Sequence, residues 1–426
     1  MTTILLASLA LAFSNDRTNL IYSCGETATF TVTASDTAGA KPEGRVRATL
    51  DDFGHDRFAE VVWDLSETNV FTISGSMSKP GFLRLHTERE DGKLIRDWGV
   101  GYDPWKIVKG SPMPDDFDEY WTAARRRLAA EVPLDPQMKR IDGLSTANYD
   151  FYEISFATFG RRVYGFMSVP TDKSKGPYPV DFGVNAAGFG DWTNNLHPRK
   201  DSICVQFSVY PFPMDRKWKE NGLQARYDAM VKEWTDRYGC SGGYASAGIG
   251  VSREEYFFYP VLLGIDRAVD WLAARDDVDL GRFRYQGTSQ GGGFGFYLCG
   301  LNRHFTRAAL FVPAITDTMG FLAGRVSGWP KVTENNNAVK ERHETAIRWA
   351  PYFDGANFAS RIRCPVRVVV GFSDVTCPPC AVYAAYNEIP VKDKAILHGF
   401  GMTHSCSGEF YSRLDRWIRS DGKAGE

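Results

Sequence analysis

Residues 27–34 alternate without a break, with Ala28, Phe30, Val32 and Ala34 on one side and four threonines on the other. That is the period of a strand with one buried face. Val46, Ala48 and Leu50 alternate in the same way with Arg45, Arg47 and Thr49, and the runs 82–87 and 94–100 flank Asp91-Gly92, a hairpin-turn signal. Together these segments predict a small antiparallel β-sandwich over residues 14–105. Pro104, Pro112 and Pro114 then punctuate a stretch that sustains neither helix nor ladder, so residues 101–114 are predicted to be the linker.

Past the linker the period changes. Asp115 is placed to cap a helix on which Phe117, Tyr120, Trp121, Ala124 and Leu128 recur at helical spacing. Strand-like runs at 149–156, 163–169, 180–184, 283–286 and 366–370 alternate with helical stretches, one of them 261–274. Such alternation predicts a mainly parallel sheet covered by helices over residues 106–426. Ser252-x-x-Glu255 reads as a capping box at the start of the 261–274 helix, with Pro260 breaking or kinking it a turn later. Residues 206–242, rich in aromatics, Gly and Pro, read as an irregular insertion.

Residues 4–11 are apolar, and Ala10-Leu11-Ala12 has the small-x-small pattern of a cleavage site, but no Lys or Arg precedes Arg17. Two readings stand for residues 1–13. As a signal peptide they imply a secreted or periplasmic protein; as a buried N-terminal strand they imply a cytoplasmic one. Lys and Arg total 50 against 52 Asp and Glu, a net charge of -2. That balance gives no field to attract nucleic acid or an anionic membrane, and neither is expected as a partner. The eight cysteines are scattered through a long chain, which is not a disulfide scaffold. Cys377-Pro-Pro-Cys380 has the spacing of half a zinc site or of a redox pair, but no second CxxC exists and two prolines stiffen the loop. No metal site and no cofactor are expected.

The chemistry centres on Gly287-Thr288-Ser289-Gln290-Gly291, which follows one predicted strand and precedes a helical run at 294–298. This is the context of a nucleophile elbow, whose turn is so tight that the residues two before and two after the nucleophile must lack bulk. A serine hydroxyl needs a base within hydrogen-bond reach and an acid to orient that base, and in this fold they follow in the order acid, then histidine. Asp374 follows the 366–370 strand in the required position; Asp317 and Asp393 fit less well. Only His398 and His404 follow Asp374. His398 ends an apolar run and His404 lies in the loop before the last helix, so His404 is the better base. For the oxyanion, Gln290 supplies one backbone N–H by position, and Phe189, in the small-residue loop Ala187-Gly188-Phe189-Gly190, supplies the second. Trp192, Tyr210 and Trp329 are candidates for a sugar-stacking platform.

Several runs resemble the acetyl xylan esterase and cephalosporin C deacetylase family of α/β-hydrolases: Gly287-Thr-Ser-Gln-Gly-Gly-Gly, Asp374-Val-Thr-Cys-Pro-Pro with Ala384-Ala-Tyr-Asn, Arg361-Ile-Arg-Cys-Pro-Val, and Asp116-Phe-Asp-Glu-Tyr-Trp followed by Pro133-Leu-Asp-Pro. The resemblance implies an α/β-hydrolase fold, a triad at Ser289, Asp374 and His404, an oxyanion hole at Gln290 and Phe189, and removal of acetyl groups from carbohydrate esters without a cofactor. It also implies a homo-oligomer enclosing the active sites. This chain departs from the family in having Ala187-Gly-Phe-Gly where His-Gly-Tyr-Gly is usual, and Ser405 where Glu usually follows the histidine. A serine peptidase on the same fold, and a carbohydrate-binding protein with a vestigial triad, are the alternative readings.

Overall fold

The computed structural model describes residues 9–36, 39, 41–191, 196–241 and 243–420. The first eight strands are β1 (Leu9–Asn15), β2 (Ile21–Tyr22), β3 (Ala28–Asp36), β4 (Arg45–Asp51), β5 (Arg57–Asp64), β6 (Val70–Gly75), β7 (Gly81–Arg89) and β8 (Leu94–Tyr102). They form a three-stranded sheet in the order β1-β3-β6 and a five-stranded sheet in the order β2-β8-β7-β4-β5. The alternation seen in the sequence becomes burial: Ala28, Phe30, Val32 and Ala34 are buried, and the threonines between them lie nearer the surface. The sheets meet where Trp63 of β5 stacks on Phe71 of β6 with centroids 4.9 Å apart. The pairing is antiparallel throughout except between β2 and β8, which run parallel. Leu9 to Asn15 pair with β3; residues 1–8, the greater part of the apolar N-terminal run, lie outside the described residues.

A nine-stranded sheet forms the second layer system. Its strands are β9 (Gln137–Arg140), β10 (Tyr149–Thr158), β11 (Arg161–Pro170), β12 (Tyr178–Val184), β13 (Ile203–Phe207), β14 (Val278–Thr288), β15 (Arg307–Phe311), β16 (Val366–Gly371) and β17 (Lys394–Gly399), in the spatial order 17-16-15-14-12-13-11-10-9. Strands 12 to 17 pair in parallel, and β9 to β11 extend the sheet antiparallel. The parallel strands are apolar on both faces, as β16 shows with all six residues buried, because helices cover both sides.

The helices are α1 (Phe117–Glu131), α2 (Leu223–Tyr238), α3 (Phe258–Ala273), α4 (Gln290–Leu301), α5 (Lys340–Trp349), α6 (Gly355–Ala359), α7 (Pro379–Glu388) and α8 (Gly408–Arg419). Several local expectations need correction. Asp116, not Asp115, stands at the N-cap of α1, and its carboxylate accepts from the Tyr352 hydroxyl instead of capping the helix. The Ser252 hydroxyl does accept from Glu255 N–H at 3.0 Å, but α3 begins three residues beyond Glu255. Pro260 therefore falls in the first turn of α3, where its missing N–H costs nothing, and the helix runs on. The segment 206–242 is less irregular than its composition suggests. Gln206 and Phe207 end β13, and 223–238 form α2, whose buried side chains are only Leu223, Met230 and Tyr238. So sparse an apolar stripe leaves little periodicity to read.

Residues 104–111 stitch the sandwich to the main sheet. Asn387 of α7 donates to the Pro104 and Ile107 carbonyls, Gly110 N–H donates to Asp317, and Lys109 pairs with Glu388 at 2.9 Å.

Candidate active site

The elbow stands between β14 and α4. Ser289 has φ 55 and ψ -119, a conformation that costs an L-residue energy and persists only where the surroundings over-determine it. Here its N–H donates to Phe311 O at 2.9 Å, and its carbonyl accepts from Gly293 and Ala314 N–H. The flanking glycines are steric necessities. A Cβ on Gly287 falls 2.3 Å from Gly291 O, and one on Gly291 falls 2.0 Å from Val184 O.

Three loops at the carboxyl ends of the parallel strands bring the expected residues together. His404 Nε2 lies 2.9 Å from Ser289 Oγ, and His404 Nδ1 lies 2.9 Å from Asp374 Oδ2. Asp374 is fully buried, and its Oδ1 accepts from the N–H groups of Thr376 and Cys377, each at 2.9 Å. The carboxylate is thereby held with one oxygen turned to the imidazole. A serine hydroxyl, an imidazole and a buried carboxylate in one hydrogen-bonded line can generate a nucleophile at neutral pH. Asp374, Cys377 and His404 each place one donor atom within 4.8 Å of the others, but the Asp374 oxygens and both His404 nitrogens are engaged within this line. Burial pushes the Cys377 thiol well above its ordinary pKa.

The other candidates separate. His398 lies in β17, half-buried against Tyr383, whose hydroxyl is 2.7 Å from Nε2; desolvation there lowers the His398 pKa. Asp317 pairs with Arg325, and burial raises its pKa to about 6. Asp393 pairs with Arg367 at 2.7 Å.

Gln290 opens α4, where a first-turn N–H has no carbonyl four residues back to meet. Its side chain is buried and joins two other elements: Oε1 accepts from the Tyr244 hydroxyl at 2.9 Å, and Nε2 donates to Asn185 O at 3.2 Å. Asn185 Oδ1 in turn accepts from Gln206 Nε2 at 2.8 Å. Tyr244, Asn185 and Gln206 are absent from the sequence reading because only the folded chain brings them together. Phe189 follows Gly188, which has φ +112, and its ring packs against Tyr210, Phe212, Trp218 and Tyr227. Tyr210 is no stacking platform. It is 1% exposed, and its hydroxyl donates to Gly188 O at 2.9 Å, so it braces the loop from beneath. Trp329 is half-buried, and its carbonyl accepts from Ile315 N–H, next to the residue that bonds Ser289. Trp192 lies outside the described residues.

The family model for acetyl xylan esterases (AXE1) matches residues 106–419. The chain belongs to the acetyl xylan esterase family. It is a carboxylic ester hydrolase of the carbohydrate acetyl esterase kind. Acetyl esterase Axe7A of Xylanibacter ruminicola is 28% identical over 351 residues, which cover 82% of this chain and 76% of that one. Two solved structures share the fold. The acetyl xylan esterase of Paenibacillus sp. R4 superposes with a TM-score of 0.61 at 22% identity, covering 74% of this chain and 98% of that one. Acetyl xylan esterase 1 of Thermoanaerobacterium sp. JW/SL YS485 gives 0.60 at 20% identity, covering 75% and 98%. The esterase thus has the α/β-hydrolase fold, with a separate antiparallel domain before it.

Proposed function

We propose that this esterase deacetylates acetylated xylo-oligosaccharides and related plant-polysaccharide fragments through an acetyl-enzyme on Ser289. The observation that carries the reading is the unbroken line Ser289–His404–Asp374, with both contacts at 2.9 Å. In the first half-reaction the Ser289 oxygen bonds to the acetyl carbonyl carbon as its proton passes to His404 Nε2. The carbonyl oxygen takes up the negative charge and is met by the N–H groups of Gln290 and Phe189. Collapse breaks the bond from the acetyl carbon to the sugar oxygen, which leaves with the proton held by His404. Water then attacks the acetyl-enzyme, giving its proton to His404, and acetate departs as Ser289 recovers a proton. Asp374 keeps Nδ1–H pointed at itself and stabilises the imidazolium that forms twice per turnover.

Acetate release from acetylated xylo-oligosaccharides, followed for wild type and Ser289→Ala together, tests the proposal. Wild type should release acetate and the folded variant should be slower by on the order of 10⁴-fold or more. Turnover of a prolyl dipeptide substrate in place of acetate release would favour the peptidase reading. Sugar binding without hydrolysis would favour the binding-protein reading.

A further inference from the structure

We propose that Trp98, on the last strand of the N-terminal sandwich, is a positioning residue for the reaction: its ring bears on the loop that carries His404 and keeps it in register with the loop that carries Asp374, which rests on the neighbouring Gly99. The inference rests on the triad reading above, and extends it to a residue that lies outside the segment matched by the family model.

Ser289 is fixed in the tight turn between β14 and α4, whereas Asp374 and His404 sit on longer loops, and loops are where mobility concentrates. His404 lies five residues beyond the end of β17, with its side chain 32% exposed. The loops first fasten to each other. Phe372 N–H donates to Gly399 O, and Ser373 N–H donates to Met402 O, both at 3.0 Å. A Cβ on Gly371 falls within 2.7 Å of the Met402 and Thr403 carbonyls, so the two backbones touch three residues before Asp374 and immediately before His404.

That joined pair then rests on β8. A Cβ on Gly401 falls 2.2 Å from the Trp98 ring, and a Cβ on Gly99 falls 1.9 Å from Phe372 O. The first contact is three residues before His404, and the second is two residues before Asp374. Phe82 of β7 adds an edge contact to Phe372 with centroids 5.0 Å apart. Trp98 is itself held on several sides. Nε1 donates to Asn15 Oδ1 at 2.8 Å, Phe13 stacks on the ring at 5.6 Å and 11°, and the Arg96 guanidinium lies 5.6 Å from its centroid. Both Phe13 and Asn15 belong to β1, so two strands of the sandwich converge on one ring that bears on the histidine loop. A misplacement of about 1 Å costs a reaction of this kind about 10²-fold, and the ring is the surface that limits such drift.

The test uses the full chain and a chromogenic acetyl ester, with kcat, KM, the rate of Ser289 labelling by a fluorophosphonate, and thermal unfolding measured for each variant. Trp98→Ala should fold, lose at least about tenfold in kcat and in labelling rate, and keep KM within about twofold. Trp98→Phe, which keeps a flat ring against Gly401, should recover most of the loss. A purely structural role predicts a lower unfolding temperature with kcat unchanged. A folded Trp98→Ala with kcat within about twofold of wild type overturns the proposal, as does failure of Trp98→Phe to recover activity. If Trp98→Ala does not fold, Asn15→Ala keeps the ring and removes its hydrogen-bond anchor; a kcat lower by about threefold supports the proposal and an unchanged kcat overturns it. Ser289→Ala runs alongside: activity retained there sinks the triad reading itself, whereas an inactive Ser289→Ala with a fully active Trp98→Ala sinks only the brace.

Discussion

The His404 imidazole must meet a serine on one side and a carboxylate on the other, and each contact is made by a residue whose own position is fixed by backbone bonds. Ser289 is held at its carbonyl and N–H, and Asp374 by two N–H groups on the oxygen that does not face His404. The Gln290 side chain ties the elbow to Asn185, at the start of the Phe189 loop. Gln290→Ala keeps the proposed oxyanion N–H and cuts that tie, so kcat should fall by about tenfold with KM little changed. Steady-state kinetics on an acetyl ester check this, and an unchanged kcat means the tie is not needed. His398 has a different kind of consequence. Burial lowers its folded pKa below the unfolded value of about 6.5, so below that pH the unfolded chain binds more protons and stability falls as pH falls. Denaturant unfolding at about pH 7.5 and about pH 5 should show wild type losing its advantage over His398→Phe as the pH drops. A constant gap between the two proteins contradicts the assignment. Ser289, Asp374 and His404 were legible because the elbow has a fixed spacing and the fold a fixed order. Tyr244 was not, because its partner Gln290 lies 46 residues away and no local pattern marks the pair.

At the scale of elements, the turn from β14 into α4 closes only because glycines follow Gln290 in the first turn of α4. Gly291→Ala drives a Cβ against Val184 O and should cost about 3 kcal/mol in denaturant unfolding, along with most of the activity. Gly143, whose Cβ meets nothing within 4 Å, is the control, and Gly143→Ala should change stability by less than about 0.5 kcal/mol. Equal effects at the two positions would show that the elbow is not sterically closed. Strands β12, β14 and β16 were readable from their apolar runs, but their ends were not, and the five-residue strands β13 and β15 were not read at all. β14 starts at Val278, well before residue 283, because Asp279, Gly281 and Arg282 interrupt the apolar run at the edge of the core. Helix α2 was hidden for the opposite reason, since one largely exposed face gives a helix too few apolar positions to show its period.

The whole molecule joins a sandwich and a hydrolase sheet through one continuous apolar core. The sandwich was legible from its alternation, and its role was not, because what β8 touches depends on the docking of two sheets that no sequence period encodes. That docking places Gly99 and Trp98 against the loops of Asp374 and His404, so the N-terminal unit belongs to the same physical account as the triad. The most direct test of that account is the covalent intermediate. Wild type and Ser289→Ala are mixed with a chromogenic acetyl ester, quenched with acid during turnover, and digested for mass spectrometry. The account predicts the mass of one acetyl group on the wild-type peptide that contains Ser289, and no acetylated peptide from Ser289→Ala. An acetyl group carried by another residue during turnover, or turnover by Ser289→Ala at the wild-type rate, would contradict it.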